Sequence, residues 1–317
     1  MKSFKQFIIE AKQGAYNDEH SHVNIWNHMV GLGIAHDKNA MKKELEKSKT
    51  DKTHALHYDN ADHKGFTGGK KTEGAKESYY TENETAMHTI HALATHPDFK
   101  TAISEKHRAK VMGGEKGTIS KTWEKYGATG GPTSKSDISI HHSDKPDGVG
   151  LRLSLKKGNG SQLMSGGPEE NLALHHHAAW EMLNTHSKYK ALSDEQKNNI
   201  HAGIIKDMSN VGEHLNNMRT ASRSDMIHHR NEAQIHMNAA HDRHPELNYF
   251  VRKEATTGIG KFGEDSHHAA AYLVKSASAG EAKVTHVNDH DHAGSRPRIS
   301  LPKGDGRSGV VRLDEKR

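Results

Sequence analysis

The sequence predicts a mixed α/β protein in which a small mixed central sheet is flanked by helices, with a helical region at the N-terminus. Two segments between residues 137 and 156 alternate polar and apolar side chains, which is typical of half-buried strands. Helical apolar spacings occur before and after these segments, and short alternating segments return near the C-terminus. We place one boundary, between a polar helical N-terminal region (1–80) and a domain that contains the sheet (81–317).

The chain has a small share of apolar residues. Hydrophobic residues make up 32% and aromatic residues 5% of its 317 positions, whereas about 45–50% apolar residues is usual. We therefore expect a thin core, with long polar loops or a larger assembly that covers further surface. The net charge of +5 gives no strong overall basic field, so nucleic-acid contacts require local clusters of Lys and Arg.

Cysteine content and hydropathy indicate the cellular compartment of the protein. The chain has no cysteine, which excludes disulfides and thiolate zinc sites and agrees with a reducing cytoplasm. No apolar run approaches the roughly 18 residues of a membrane span. We therefore predict a cytoplasmic protein with no membrane partner.

The remaining elements follow from local patterns. Large apolar residues recur every three or four positions in residues 3–12 and 20–35, which predicts amphipathic helices. Residues 37–79 have few large apolar side chains, which predicts a loop. Capping signals predict helices over 81–96 and from Pro168 onward, and apolar spacing predicts two more over 193–208 and 211–218. Residues 283–287, 298–301 and 309–313 predict strands at the sheet edge or in a small C-terminal sheet.

The central stretch, residues 132–167, predicts a β-hairpin with polar groups on one face. Residues 137–140 and 149–156 alternate, and the polar run between them forms the connecting loop. Because successive strand side chains point to opposite faces, Ser154 and Lys156 share one face, and Leu151, Leu153 and Leu155 share the other. Asp137 can then lie beside Ser154 and Lys156.

A carboxylate, a hydroxyl and an ammonium on one surface suit phosphodiester chemistry. Carboxylate oxygens are good Mg²⁺ ligands, the ion lowers the pKa of bound water, and a lysine can orient that water. The plain alternative is an ordinary hairpin whose wet face carries Asp137 and Lys156. Glycines at 158, 160, 166 and 167 favour the functional interpretation, because glycine permits close backbone approach to a phosphate, although a flexible loop is another use for them.

The order Ser134-Lys-Ser-Asp137, then Ser154-Leu-Lys156 and a downstream Gln162, resembles the core motif of the PD-(D/E)XK nuclease superfamily, which has the restriction-endonuclease-like fold. The resemblance is close over residues 132–167 and loose over 120–290. It implies that Asp137 is the main metal ligand, Lys156 the catalytic lysine and Gln162 an accessory residue near the scissile phosphate. The implied cofactor is Mg²⁺ or Mn²⁺.

Ser154 departs from the superfamily pattern, which most often has Glu or Asp at this catalytic position. The departure leaves the metal one carboxylate short. In some superfamily members a neighbouring helix supplies the second acid, so we predict Glu124 as the second metal ligand, with Glu169 and Glu170 as alternatives. If none of them does so, we expect a fold without activity.

Basic residues in and after the hairpin are candidate DNA contacts. Lys135 and Lys157 belong to the motif region, and Arg219, Arg223 and Arg230 lie in the most basic helical segment. These residues would neutralise phosphates without reading bases. A solvated helix face is an equally simple interpretation of the arginines.

The sequence contains 29 histidines, most of which we expect on the surface. Their number makes the net charge sensitive to pH between about 5 and 8. Three of them, His175 to His177, are consecutive in a predicted helix and cannot chelate one ion together, because adjacent helical side chains point about 100° apart. A His-rich metal-binding protein is the third-ranked interpretation of the function.

The first-ranked prediction is a Mg²⁺-dependent deoxyribonuclease, an endonuclease that hydrolyses DNA phosphodiester bonds. The opening MKSFKQFI resembles the start of many tailed-phage proteins, which suggests a bacteriophage protein in the host cytoplasm or associated with the virion. The alternative is a non-catalytic virion or DNA-packaging component that uses the fold to bind nucleic acid or another subunit. The expected partners are DNA and either further copies of the chain or a phage assembly partner.

Overall fold

The computed structural model describes residues 17–69, 71–113, 115, 117–126, 134–142, 150–157, 162–276, 281–302, 304 and 306–314. The predicted helix at 3–12 and most of the hairpin loop lie outside these residues. The helices are α1 (Asp18–Gly31), α2 (Lys38–Thr50), α3 (Lys76–Thr95), α4 (Lys100–Ser104), α5 (Lys121–Lys125), α6 (Pro168–Thr185), α7 (Asp194–Asn217), α8 (Arg223–Arg243), α9 (Leu247–Thr257) and α10 (Ile259–Phe262). The strands are β1 (Arg108–Val111), β2 (Ile138–His141), β3 (Leu151–Lys157), β4 (Gln162–Gly166), β5 (Tyr272–Ser276), β6 (Ala282–His286), β7 (Arg298–Ser300) and β8 (Val310–Asp314).

The chain forms two compact units. The first comprises Met1–Gly113, Ser136–Gly158 and Ala271–His286, and the second comprises Gly114–Lys135, Asn159–Ala270 and Val287–Arg317. The boundary that the sequence suggests at residue 80 falls inside α3, which packs against α1, β5 and β6 of the first unit. Tertiary contacts, rather than the polarity of the N-terminal region, therefore divide the chain.

A five-stranded mixed sheet organises the first unit, in the order β1-β2-β3-β5-β6. The pair β3 and β5 is parallel, and the other neighbours are antiparallel. The mixed sheet with flanking helices confirms the predicted class, and the β2–β3 hairpin is confirmed with Ile138 opposite Leu153. The edge position of β6 confirms one of the predicted C-terminal strands.

The two faces of this sheet differ in polarity, as the alternation predicts. One face contributes Ile138, Ile140, Leu153, Tyr272 and Val274 to a core with the helices. The helices contribute apolar side chains that include Trp26, Met29, Met87 and Ile90. The opposite face carries Asp137, Ser154 and Lys156, because paired and alternate strand residues point to the same side.

The prediction of a loop over 37–79 is wrong in its first part, where α2 forms. Asp37 caps this helix by accepting hydrogen bonds from the N–H groups of Asn39 and Ala40. Met41 and Leu45, one helical turn apart, are buried. Two apolar residues at this spacing suffice to dock a polar helix, because tertiary packing supplies most of a helix's stability.

Asn27 on α1 pairs with the edge of the sheet in place of a further strand. Its Nδ2 donates to the Ala109 carbonyl at 3.1 Å, and its Oδ1 accepts from the Ala109 N–H at 2.8 Å. The helix is therefore fixed against β1 by hydrogen bonds as well as by the core.

Asn27→Ala is expected to lower the free energy of unfolding by about 1–3 kcal/mol, because both backbone groups of Ala109 lose their partner. Urea denaturation followed by circular dichroism measures this loss. Lys43→Ala, at an exposed position of α2, is the control and should change the free energy by less than about 0.5 kcal/mol. Equal stability of the two variants would contradict the role of Asn27.

The second unit contains α5 to α10 and a three-stranded sheet in the order β4-β8-β7. Its core draws on α6, α7, α8 and α9, with Met182, Met208, Val211 and Met237 among the buried residues. The helix predicted from Pro168 is confirmed, whereas the two predicted over 193–218 form one helix, α7. Within the ranges that the structure describes, no helix is both long and apolar enough to cross a bilayer.

Candidate active site on the five-stranded sheet

Asp137 lies at the start of β2, where hydrogen bonds to both neighbouring strands fix its backbone. Its N–H donates to the Leu153 carbonyl at 2.7 Å, and its carbonyl accepts from the Met112 N–H at 2.8 Å. Asp137 therefore extends the hairpin ladder by one position and stands opposite Ser154. The predicted juxtaposition of these two residues is confirmed.

The Asp137 carboxylate is held by β3. Its Oδ2 accepts from the Leu155 N–H at 2.6 Å and from the Ser154 hydroxyl at 3.3 Å. Ser154 is only 1% exposed. The serine at the position where the superfamily pattern has an acid therefore orients Asp137.

Burial and the charge of Lys156 shift the pKa of Asp137 in opposite directions. Burial raises the pKa of its carboxyl above the usual value, while the Lys156 ammonium and the Leu155 N–H oppose that shift. The charge of Glu19 raises the pKa further. The Lys156 charge therefore favours the ionised form of Asp137, and the Glu19 charge disfavours it. The catalytic role of Lys156 stays a prediction.

Glu19 is a carboxylate of the first unit that the sequence interpretation did not nominate. It lies in the first turn of α1, and its side chain lies beside Gly113, where an added Cβ would be 3.5 Å from the Glu19 Oε1. The Gly113 N–H in turn contacts the Asp137 carbonyl at 3.2 Å. Acids in the first turn of a helix are common because they offset the helix dipole, so the sequence offered no signal that separates Glu19 from an ordinary first-turn acid.

The acids that the sequence nominated lie on the second unit. Glu124 is exposed on α5, and Glu169 is exposed at the start of α6. Glu170 forms an ion pair with the buried Lys261. Metal ligation by Glu124 stays a prediction, as do the roles of Gln162 and Lys157, whose side chains lie outside the described part of the structure.

The predicted DNA-contacting residues have different surroundings. Lys135 donates from Nζ to the Leu163 carbonyl at 3.0 Å within the second unit. Arg219 and Arg223 are exposed, and Arg230 donates to the Asn231 side chain. DNA contact by these four residues stays a prediction.

A row of three lysines crosses the polar face of the sheet. Lys156 on β3 is in register with Lys275 on β5, which is in register with Lys283 on β6. Paired residues on adjacent strands point to the same side. We call these residues the lysine row. The sequence could not place Lys275 and Lys283 beside Lys156, because strand order is set by tertiary structure.

The consecutive histidines bind three different partners, in agreement with the prediction that they share no ion. His175 contacts His241 at 3.3 Å, His176 contacts His201 at 2.8 Å, and His177 lies 3.3 Å from Glu254. Burial alone would lower the pKa of His177, but the adjacent Glu254 carboxylate outweighs burial and raises it. Glu254 also accepts from the Gly260 and Lys261 N–H groups, so it holds the start of α10.

Comparisons with known proteins leave the site to be interpreted from its own geometry. Neither family models, nor curated proteins, nor solved structures gave a match to this chain.

Proposed function

We propose that the first unit is the catalytic domain of a metal-dependent DNA endonuclease with a restriction-endonuclease-like fold. The observation that carries the proposal is the arrangement around Asp137. The hydrogen bonds of the hairpin ladder fix its backbone, and the charges of Lys156 and Glu19 shift the pKa of its carboxyl in opposite directions. The mixed sheet with flanking helices, on which this arrangement lies, supports the same proposal.

The donor set fits a hard divalent cation. Asp137 and Glu19 offer carboxylate oxygens, which Mg²⁺ and Mn²⁺ prefer. The two hydrogen bonds from β3 end on Oδ2 of Asp137, so Oδ1 is the oxygen that would be available to a metal. Glu19 raises the pKa of Asp137 by repulsion, and a cation bound at these two residues would offset that repulsion. Glu19 thereby supplies the acid that Ser154 cannot.

The side chains have separate tasks in hydrolysis. Bound Mg²⁺ would lower the pKa of a water and polarise the phosphoryl oxygen. Lys156 donates to the attacking water or to the phosphate and offsets the charge that develops there. Ser154 and the Leu155 N–H hold Asp137 in one orientation, so that little reorganisation accompanies the reaction.

The lysine row supports a polyanionic substrate. Like charges directly opposite each other on neighbouring strands repel, and Lys156, Lys275 and Lys283 form two such pairs. A phosphodiester backbone that crosses β3, β5 and β6 would be attracted by all three positive charges. Binding by this row should weaken steeply as salt rises, because the protein releases counterions from the nucleic acid.

The test is incubation of the purified protein with linear, supercoiled and single-stranded DNA, in Mg²⁺, in Mn²⁺ and in EDTA. We expect cleavage that requires the metal and that Asp137→Asn removes, with DNA binding retained in fluorescence anisotropy. Cleavage by Asp137→Asn at the wild-type rate would overturn the assignment.

Ser154 also favours a second candidate, a non-catalytic virion or packaging component. Because Ser154 is buried and bonded to Asp137, the same geometry would persist in a fold that had lost catalysis. DNA binding without cleavage in either metal would favour this candidate over the endonuclease.

A further inference from the structure

Two histidines and a glutamate converge in the first unit at a distance in sequence from the Asp137 site. His28 lies in the last turn of α1, Glu44 lies in α2, and His54 follows α2 in a turn. Oε1 of Glu44 is 3.1 Å from Nε2 of His28 and 2.7 Å from Nε2 of His54. One ligand atom from each residue lies within 4.8 Å of the other two.

We propose that this His–Glu–His cluster binds one transition-metal ion of the Zn²⁺ class. Imidazole nitrogens suit Zn²⁺, Ni²⁺ and Cu²⁺, whereas Mg²⁺ requires oxygen ligands. Two histidines, one glutamate and a water complete a tetrahedral zinc shell. The proposal is independent of the nuclease function, since the Asp137 site offers only oxygen ligands.

The surroundings of the cluster suit an ion with one open position. The His54 side chain is 4% exposed, while those of His28 and Glu44 are 18% and 21% exposed. Glu44 is the shared partner of both histidines, since its Oε1 lies within hydrogen-bond distance of each Nε2.

Binding requires a change of tautomer at His54. Its Nδ1 accepts the Leu56 N–H at 3.1 Å, so in the metal-free neutral ring the proton lies on Nε2 and is donated to Glu44. Coordination through Nε2 moves that proton to Nδ1, and the Leu56 N–H loses its acceptor. We therefore expect weaker binding than in a preformed site.

A bound ion would link α1 to α2, because His28 lies in α1 and Glu44 in α2. His28 is near the C-terminal end of α1, the helix whose first turn carries Glu19. A metal at the cluster should therefore stabilise the first unit by mass action, because the unfolded chain cannot present the three ligands together.

The experiment measures metal content and thermal stability of the full chain. The protein is dialysed against EDTA, exchanged into Zn²⁺ and analysed for bound metal, and its melting temperature is recorded with and without the ion. We expect about one Zn²⁺ per chain and a higher melting temperature, both lost in Glu44→Gln and in His54→Gln. Asp137→Asn should bind Zn²⁺ as the wild type does.

A second cluster serves as the matched control. Glu105, His107 and His142 also place three ligand atoms within 4.8 Å, but Glu105 is exposed. His107→Gln should leave the Zn²⁺ content unchanged if the ion binds where we propose. If Glu44→Gln retains Zn²⁺ and His107→Gln loses it, the ion binds at the second cluster, and the proposal is overturned.

Cobalt absorption keeps the proposal testable even if a variant fails to fold. Wild-type protein with Co²⁺ should show visible d–d bands of a low-coordinate nitrogen and oxygen site, and an equivalent of Zn²⁺ should remove them. Wild-type protein that shows no bands and retains no Zn²⁺ after dialysis does not contain the site.

Discussion

Under the proposed nuclease function, Glu19→Gln is expected to reduce metal-dependent DNA cleavage by about 10²–10³-fold. Charge stabilisation by a bound metal contributes several kcal/mol to the transition state, and each 1.4 kcal/mol corresponds to about a tenfold change in rate. The amide has the shape of the carboxylate but lacks its charge, so the metal would bind weakly beside Asp137. The rate should recover in part as the Mn²⁺ concentration is raised.

The matched control for Glu19 is Glu124→Gln. Glu124 is the second ligand that the sequence nominated, and it lies exposed on the second unit. Single-turnover cleavage rates of both variants, at several metal concentrations, test which of the two acids the proposed site requires. A large loss in Glu124→Gln with none in Glu19→Gln would restore the first interpretation.

Acidification from pH 7.5 to pH 4.5 is expected to lower the free energy of unfolding through three histidine pairs between helices. The pairs are His175 with His241, His176 with His201, and His214 with His229. They join α6 to α8, α6 to α7, and α7 to α8. In each pair one ring nitrogen must accept a hydrogen bond, so at least one ring must be neutral.

The buried pair has the largest expected effect. Nδ1 of His175 donates to the Asn171 carbonyl at 3.0 Å, so its Nε2 accepts and His241 donates. Nδ1 of His241 is buried and has no hydrogen-bond partner among the described residues. A proton added there has no acceptor, which agrees with the lowered pKa of His241 caused by its burial and by the charge of His175.

The direction of this pH dependence follows from the number of protons that the folded and unfolded chains bind. Burial lowers the pKa of His175 to about 4 from 6.5, so between these values the unfolded chain binds more protons than the folded one. Stability is therefore unchanged by this group above about pH 6.5 and falls as the pH drops towards 4. At about 1.4 kcal/mol per pKa unit, His175 alone accounts for a loss of about 3 kcal/mol.

Urea denaturation at a series of pH values, followed by circular dichroism, measures this dependence. His241→Gln should reduce the dependence, because the amide donates to His175 without taking up a proton, while the part that comes from His175 remains. His228→Gln, at an exposed position of α8, should leave the dependence unchanged. The pairs would be irrelevant to acid stability if His241→Gln and the wild type lost stability in parallel.

Local pattern predicted the hairpin because its determinants are local. Alternation placed Ser154 and Lys156 on one face and the three leucines on the other, and the strand period of two leaves no other arrangement. The same reasoning brought Asp137 beside Ser154. Helix caps and apolar spacing likewise predicted the start of α6.

Local sequence patterns predicted a loop where α2 forms and a boundary at residue 80 that does not separate the two compact units. The predicted loop over 37–79 rested on low apolar content, yet two buried side chains one turn apart hold α2 in place. The units are assembled from segments that are distant in sequence, with β5 beside β3 although α6 to α10 intervene. Composition along the chain carries no record of such pairing.

The sequence by itself therefore determined the α/β class, the β2–β3 hairpin and the polar face that carries Asp137, Ser154 and Lys156, because these depend on residues that are close in the chain. Only the tertiary structure decided that Glu19 lies beside Gly113, whose N–H contacts the Asp137 carbonyl, that Lys275 and Lys283 continue the row from Lys156, and that His28, Glu44 and His54 converge. The physical reason is that long-range packing brings these side chains together, and their own sequence neighbourhoods resemble those of ordinary surface residues.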